Sequence, residues 1–504
     1  MFRPRSVKRH GSHRDARRHT ECACYDLEMN VPQSRRMFLQ RSALGFGTLA
    51  LAHLCRQDGL LAANDATPVS HGGADLRPRP GHFPARAKAM ILLFQNGGPS
   101  QMDLFDPKPE LTRRSGQEYA EKFEVLQPGN SKQLMASPFK FQPYGQCGME
   151  LSEMLTHLGS VADELCLVRS MYTENNNHPQ ALRMFLTGKV FSGRPTLGAW
   201  TAYALGTENQ NLPAFVALRD PKGHNSGGTL NWDSGWLPAV CRATEFQSQG
   251  SPVLNLHSAV KLPAGAQRAD LALLEQLNEE HRRRFPREGD LEARIRHYEL
   301  AARMQLSAEK VLDLSEETEA TQKAYGMDRP PTADYGKRCL MARRLVEAGV
   351  RFVHIDAPVR TPWDNHSNLK QGIEEIAAKV DQPAAALIRD LKQRGLLEST
   401  LVVWTGEFGR LPVSQGGNGR DHNRNAFGLF AAGGGFKSGH IHGATDEFGY
   451  RSVEGRISCP DFMATLLNQM GLDHERLTYI HNGREETLTD PAVSKARVVD
   501  ELLA

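Results

Sequence analysis

The chain has 504 residues, a formal net charge of +3, 24% charged and 7% aromatic residues. That is enough chain to bury a substantial core, and the composition excludes both a wholly disordered chain and a multi-span membrane protein. The positive excess invites a nucleic-acid reading, but Met1 to Arg41 alone carries +6 and everything after Ala63 sums to −3, leaving no basic stripe for nucleic acid.

The first feature in chain order is an export signal. Ser34-Arg35-Arg36-Met37-Phe38-Leu39-Gln40 precedes an apolar run from Ala43 to Leu54, followed by the small-residue end Leu61-Ala62-Ala63. Paired arginines, a moderately apolar run and a cleavage region predict a twin-arginine signal over residues 1–63, read by the twin-arginine export machinery, with a periplasmic or extracellular destination. The run is too short for a permanent membrane span, and the start is Met1 or Met29. Cys55 follows Ala52-His53-Leu54, a poor match to a lipidation site, and the five cysteines after Ala63 lack CxxC spacing. Residues 64–87, rich in Pro, Gly and Arg, read as a linker, and residues 88–504 as a single domain.

Within that domain Ala89 to Phe94 is a continuous apolar run ending in Gln95-Asn96-Gly97-Gly98, the pattern of a strand buried on both faces. Further strands are predicted at Leu165 to Val168, Ala214 to Leu218, Arg351 to Ile355, Thr400 to Thr405 and Phe427 to Ala431. Helical patterns cover Gln180 to Thr187, Ile373 to Arg394 and Asp461 to Met470. Alternating strands and helices predict an α/β fold with a mostly parallel sheet flanked by helices. Two stretches interrupt it: a Gly- and Trp-rich cap loop at about 222–250 and a charged helical insertion at about 268–324.

Ligands of open α/β sheets bind at the carboxyl ends of the strands. The residues there include Asn96, Asp364 and His366 in Trp363-Asp364-Asn365-His366, Glu407 and Arg410 in Gly406-Glu407-Phe408-Gly409-Arg410, Arg420, Asp421 and His422, and His178 opening a helix. Carboxylates and imidazoles together suit a divalent cation, with zinc, calcium and manganese all open. Arg410 and Arg420 either pair with substrate anion oxygens or form ion pairs within their loops. His178 reads as a ligand, with a covalent nucleophile as the alternative. Ser100, Asp103 and Asp106 are weaker candidates, and Trp232 and Trp236 serve either as a sugar-stacking platform or as internal packing.

Ala386 to Gly409 resembles the helix, turn and strand of sulfatases that end in Ser-Asp-His-Gly, and Asn177 to Gly188 resembles the sulfatase nucleophile signature Cys-x-Pro-x-Arg with its helix ending Thr-Gly. With the Gly-Gly turn and the Trp-Asp-x-His and Gly-Glu-Phe-Gly-Arg elements, the chain from Ala89 to Leu472 resembles an exported bacterial family catalogued as domain of unknown function 1501. That family is sulfatase-like and belongs to the alkaline-phosphatase superfamily. The resemblance implies an alkaline-phosphatase-like fold. It puts His178 where a sulfatase has the Cys that becomes formylglycine, Glu407 in place of a metal-binding Asp, Phe408 in place of the adjacent His, and Asn96 near the usual first-strand Asp. The formylglycine mechanism is thereby removed. What remains is an exported metal-dependent hydrolase of sulfate or phosphate esters, acting on small-molecule or glycan esters through water activated at a metal. The alternative is a noncatalytic binding or surface protein on the same scaffold.

Overall fold

The computed structural model describes residues 76–504 except 251–252, 254–264, 285–294, 296–298, 302, 305–307, 309 and 359–360. The described residues belong to one compact unit, Gly72–Ala504. The predicted export signal and the first half of the linker, residues 64–75, lie outside the described residues.

Nine strands form the central sheet: β1 Ala89–Phe94, β2 Leu165–Tyr172, β3 Phe215–Leu218, β4 Thr244–Phe246, β5 Phe352–Asp356, β6 Thr400–Thr405, β7 Phe427–Ala432, β8 His440–His442 and β9 Ile457–Ser458. Their order is β8-β2-β7-β6-β1-β5-β3-β4, with β9 also paired to β2. Every pairing is parallel except those of β7 with β6 and β2, so β7 alone runs against the rest. The predicted mostly parallel sheet flanked by helices is the architecture observed.

The continuous apolar runs are explained by burial on both faces. Ile91 and Leu93 of β1 enter the core under helices α4 Pro330–Glu347 and α5 Leu369–Gln393. Met90, Leu92 and Phe94 enter the opposite core, with helices α1 His178–Thr187, α2 Leu197–Leu205 and α6 Cys459–Gln469. Period-2 alternation sends consecutive side chains to opposite faces, and here both faces are covered.

Strands β4, β8 and β9 and helices α2 and α4 are additions to the elements expected from the sequence, and two of them have a clear physical reason. The stretch at 222–250 is not wholly a loop, because Thr244–Phe246 adds to the sheet edge as β4, paired with Val216, Ala217 and Leu218. A three-residue run carries no periodicity of its own, so only the neighbouring edge specifies it. Helix α4 was not anticipated, since Arg338 and Arg343 break its apolar stripe. Both are fully buried and ion-paired, Arg338 with Asp334 and Arg343 with Glu317, Glu347 and Asp390. Of the predicted charged insertion, helix α3 Ala266–Arg284 is described, and Leu271, Leu273, Leu274 and Leu277 on it are exposed.

Among the described residues Cys147, Cys166, Cys241, Cys339 and Cys459 are free thiols, and burial pushes Cys166, Cys241 and Cys459 up to about 12. Among the described residues no helix is long and apolar enough to cross a membrane.

Midway along α5, the buried Asp381 accepts hydrogen bonds from the backbone N–H of His157 and Leu158, both at 2.8 Å, capping the turn Thr156–Gly159. Burial pushes its carboxyl up to about 7 despite those two donors. A raised carboxyl favours the protonated folded state. Its contribution is complete below the unfolded value of about 3.9 and is lost as pH rises towards 7. Urea denaturation across pH 4 to 8 is expected to show this fall in the wild type relative to Asp381→Asn, with a constant difference above pH 8. A difference that does not vary with pH would refute the assignment.

Candidate metal centre

The site is assembled by segments that follow parallel strands. Glu407 follows β6, the Gly97–Gly98 turn follows β1, Asp364 and His366 lie on the loop after β5, and His178 begins α1 after β2. His422 pairs with Arg410 in a small antiparallel ribbon of Gly409–Arg410 and His422–Asn423. Side chains from four separate stretches of sequence, and the backbone of the Gly97–Gly98 turn, therefore meet at one end of the sheet.

Asp364 is the hub. Its Oδ1 lies 2.9 Å from His366 Nε2, 3.1 Å from His422 Nε2 and 2.7 Å from Arg410 Nη2, and its Oδ2 lies 3.2 Å from His178 Nε2. Each imidazole is anchored through its other nitrogen: His178 Nδ1 to Glu407 Oε1 at 2.5 Å, His366 Nδ1 to Gln415 Oε1 at 2.6 Å and His422 Nδ1 to the Asn176 carbonyl at 2.6 Å. All three partners are acceptors, so each Nδ1 carries the hydrogen and each neutral ring offers the lone pair of Nε2 to the space around Asp364. Nε2 of His178 and of His366 is buried and has no hydrogen bond of acceptable geometry. Three lone pairs facing a carboxylate repel it unless a proton or a metal cation lies between them. The donor set fits a divalent ion on this ground, and two overlapping groups have ligand spacing: His178, Asp364 and His422, and His366, Asp421 and His422.

The electrostatics agree. Burial opposes ionisation of Asp364, but the imidazoles of His178, His366 and His422 and the Arg410 guanidinium outweigh it and hold the carboxyl far below the usual range. Burial also opposes charge on His178, yet Asp364 and Glu407 prevail and push it up to about 9. At His422 burial prevails, helped by Arg410 and His178 against the pull of Asp364, and lowers it to about 4. Without a metal, one imidazole of the cluster holds a proton that an incoming ion displaces.

The other expected site residues lie around this centre. Glu407 is wholly buried; its carboxylate accepts from Gly97 N at 2.9 and 3.1 Å and from Gly98 N at 3.3 Å as well as from His178, so it orients a ligand more than it faces open space. Phe408 packs its ring against His178 and His422, with centroids 4.8 and 4.5 Å away. Asn96 points elsewhere: its Oδ1 accepts from Asn225 Nδ2, which also donates to Asp356 Oδ1, in a polar cluster beyond the Gly97 turn. Asp421 lies beside the set, with Oδ1 3.9 Å from His366 Nδ1, while Oδ2 accepts from Leu126 N, Gln127 N and Asn130 Nδ2.

The substrate-pairing role expected of Arg410 and Arg420 does not fit the structure. Both guanidiniums are fully buried. Arg410 donates to the carbonyls of Gly97, Gly98, Trp363 and Arg420 and to Asp364. Arg420 forms a two-pronged pair with Asp103 at 2.8 and 3.2 Å and donates to the carbonyls of Leu411 and Met135. Every nitrogen of both forks donates to protein, so these arginines brace loops. Nor do the two tryptophans form a sugar platform. Trp232 is buried, and Trp236 stacks on Tyr479 and His481 and packs edge-on to Trp200, under Arg194.

Sequence reasoning missed Gln415 and the Asn176 carbonyl, which have no motif, and the donor role of the Gly97–Gly98 turn, for which the Gly pair was the available signal. Gly97 has φ +108°, and a Cβ there would lie 2.7 Å from Asp364 N and 2.8 Å from Trp363 N. Gly97→Ala is therefore expected to push the Asp364 loop away at a cost of about 1–3 kcal/mol. Denaturant unfolding and metal titration check it; unchanged values in both would show that the loop yields without strain.

A mostly parallel, two-sided α/β sheet with an imidazole and carboxylate cluster at its carboxyl edge defines an α/β protein with a candidate metal site. The chain belongs to the family described as Protein of unknown function (DUF1501), which matches residues 87–503. No curated protein matches the chain. Solved structures similar to it include a sulfatase from a Pseudoalteromonas species, at 13% identity over 78% of this chain and 69% of that one, with a TM-score of 0.34. Another is the lipoteichoic acid synthase LtaP from Listeria monocytogenes, at 10% identity over 82% and 78%, TM-score 0.35. A third is alkaline phosphatase from the Antarctic bacterium TAB5, at 10% identity over 77% and 99%, TM-score 0.32.

Proposed function

We propose that the protein is an exported, metal-dependent hydrolase of sulfate or phosphate esters whose ion is held by His178, Asp364, His366 and His422. The observation that carries this reading is the anchoring of three Nδ1 atoms so that three Nε2 lone pairs surround one carboxylate. Three nitrogens and one oxygen favour zinc or manganese over calcium, which takes oxygen donors. A divalent ion at such a site supplies polarisation of a sulfuryl or phosphoryl oxygen and activation of water.

The chain's own residues prepare that site. Glu407 fixes the plane and tautomer of His178 and is itself fixed by two backbone N–H groups. Asp364 supplies the negative charge that a cation neutralises, and Arg410 holds Asp364 to the Gly97–Gly98 turn. Phe408 walls off one side from water, which strengthens charge interactions inside. At the position of the sulfatase nucleophile stands His178, whose Nδ1 is committed to Glu407 and whose Nε2 faces Asp364. Water, rather than a side chain, is the nucleophile in this reading. Export rests on the Arg35-Arg36 segment and the apolar run that follows.

One observation favours the second reading, a noncatalytic binding protein: Arg410 and Arg420, the cations expected to receive substrate oxygens, both turn inward. Metal analysis of folded protein prepared without chelator, alongside His366→Ala, separates the readings. Retained stoichiometric metal, lost in the variant, with turnover of an aryl sulfate or aryl phosphate ester, is the expected result. Metal without turnover would shift the assignment to binding, and absence of metal in both proteins would refute the metal centre.

A further inference from the structure

We propose that Gln415 is a positioning residue which, together with the backbone of residues 126–130, holds His366 in the tautomer that ligates metal, so that metal uptake and the tightening of this segment are one equilibrium. The inference rests on the metal centre proposed above and names a part of the molecule that no motif marks.

Gln415 is 5% exposed and ends the short strand Val413–Gln415, which pairs antiparallel with Asn130–Leu134. Its Nε2 donates to the Pro128 carbonyl at 3.0 Å, and this direction turns Oε1 towards His366 Nδ1 at 2.6 Å. The Pro128 carbonyl thus decides which end of the amide faces the imidazole. Were the amide reversed, Nε2 would donate to His366 Nδ1 and the ring hydrogen would move to Nε2, where it would meet the cation. The loop has little room to adjust. Gln415 and Gly419 exchange two backbone hydrogen bonds of 2.8 Å, and a Cβ on Gly419 would come within 2.0 Å of the His366 carbonyl oxygen.

The same segment is gripped a second time beside His422. Asp421 Oδ2 accepts from Leu126 N and Gln127 N at 3.0 Å and from Asn130 Nδ2 at 2.7 Å, while Oδ1 accepts from His422 N at 2.8 Å. Residues 126–130 are therefore pinned to the supports of two imidazoles at once. Leu126 on this pinned backbone and Val125 just before it are 38% and 50% exposed. Coupling between two sites is reciprocal in free energy. What the segment gives to metal affinity by fixing His366, a bound ion returns by fixing the segment.

The test measures zinc affinity by competition titration, and amide exchange at Leu126 and Gln127 with and without zinc, in the wild type, Gln415→Ala, Gln415→Glu and Asn130→Ala. Gln415→Glu keeps an acceptor on His366 Nδ1 but has no donor for the Pro128 carbonyl. It is expected to retain most of the zinc affinity while exchange at Leu126 and Gln127 speeds up. Gln415→Ala is expected to weaken zinc by about 10–100-fold, the range for partners that orient metal-bound histidines, and to abolish the slowing of exchange that zinc causes in the wild type. Asn130→Ala, which touches no imidazole, is expected to weaken zinc by a smaller factor and speed the same amides. Far-UV circular dichroism checks that each variant is folded, and the Glu variant separates positioning from folding loss. Zinc bound by Gln415→Ala as tightly as by the wild type, or equal loss in the Ala and Glu variants, would overturn the inference while leaving the metal centre standing. A wild type that takes no zinc or manganese overturns both.

Discussion

Asp364→Ala is expected to empty the metal centre. One carboxylate stands within 3.2 Å of three imidazole Nε2 atoms and 2.7 Å from Arg410. Among the described residues the two neighbouring carboxylates are engaged elsewhere: Glu407 by the Gly97–Gly98 amides and His178, and Oδ2 of Asp421 by residues 126–130. Removing it leaves three neutral rings and a buried guanidinium whose positive charge repels an incoming cation. The loss of affinity should exceed the roughly 100-fold upper range seen when only an orienting partner is removed. Asp364→Asn should fare little better, since the amide keeps one ligand oxygen but brings no charge and places an NH2 among the rings. Metal analysis and a competition titration with zinc check this. Retention of a full equivalent by Asp364→Ala would mean that the ion is held elsewhere.

Glu407→Ala is expected to produce the largest loss of stability. The wholly buried carboxylate accepts from Gly97 N, Gly98 N and His178 Nδ1, and its removal leaves all three donors buried without a partner. Breaking a buried charged pair by deleting one member costs about 3–5 kcal/mol, and the cavity left beside Phe408 adds to it. Glu407→Gln should cost less, because Oε1 still satisfies one amide, but its NH2 then faces a donor and turns His178 to the other tautomer. Urea denaturation gives the stability, and zinc titration of the Gln variant gives the ligand effect. A change below about 1 kcal/mol for Glu407→Ala would show that water replaces the carboxylate freely, contrary to the sealed environment described.

Much of this protein is legible in its sequence. Continuous apolar runs such as Ala89 to Phe94 announced strands covered on both faces, and all six predicted strands form, with β2 extending four residues further to Tyr172. Placing the site at the carboxyl ends of those strands named His178, Asp364, His366 and His422 together, because α/β connections bring the residues after parallel strands to one edge. Helix α4 and strand β4 escaped for opposite reasons. The first hides its apolar stripe behind arginines neutralised by carboxylates of the same helix and by Glu317 and Asp390, and the second is too short to show any period.

What the sequence by itself determined is the class of sheet and the edge at which chemistry gathers, because apolar periodicity and the alternation of strand and helix are local properties repeated along the chain. Only the tertiary structure decided the direction of each side chain beyond the strand ends. Asn96, Arg420 and Asp421 follow the same strands or loops as the cluster, yet each is held by a partner far along the chain: Asn225, Asp103, and the amides of Leu126 and Gln127, while Arg410 touches Asp364 but is fixed to the Gly97–Gly98 carbonyls. A buried polar group must be satisfied by whatever the fold brings next to it. Those long-range hydrogen bonds decide which residues brace the site and which three imidazoles present a lone pair to Asp364.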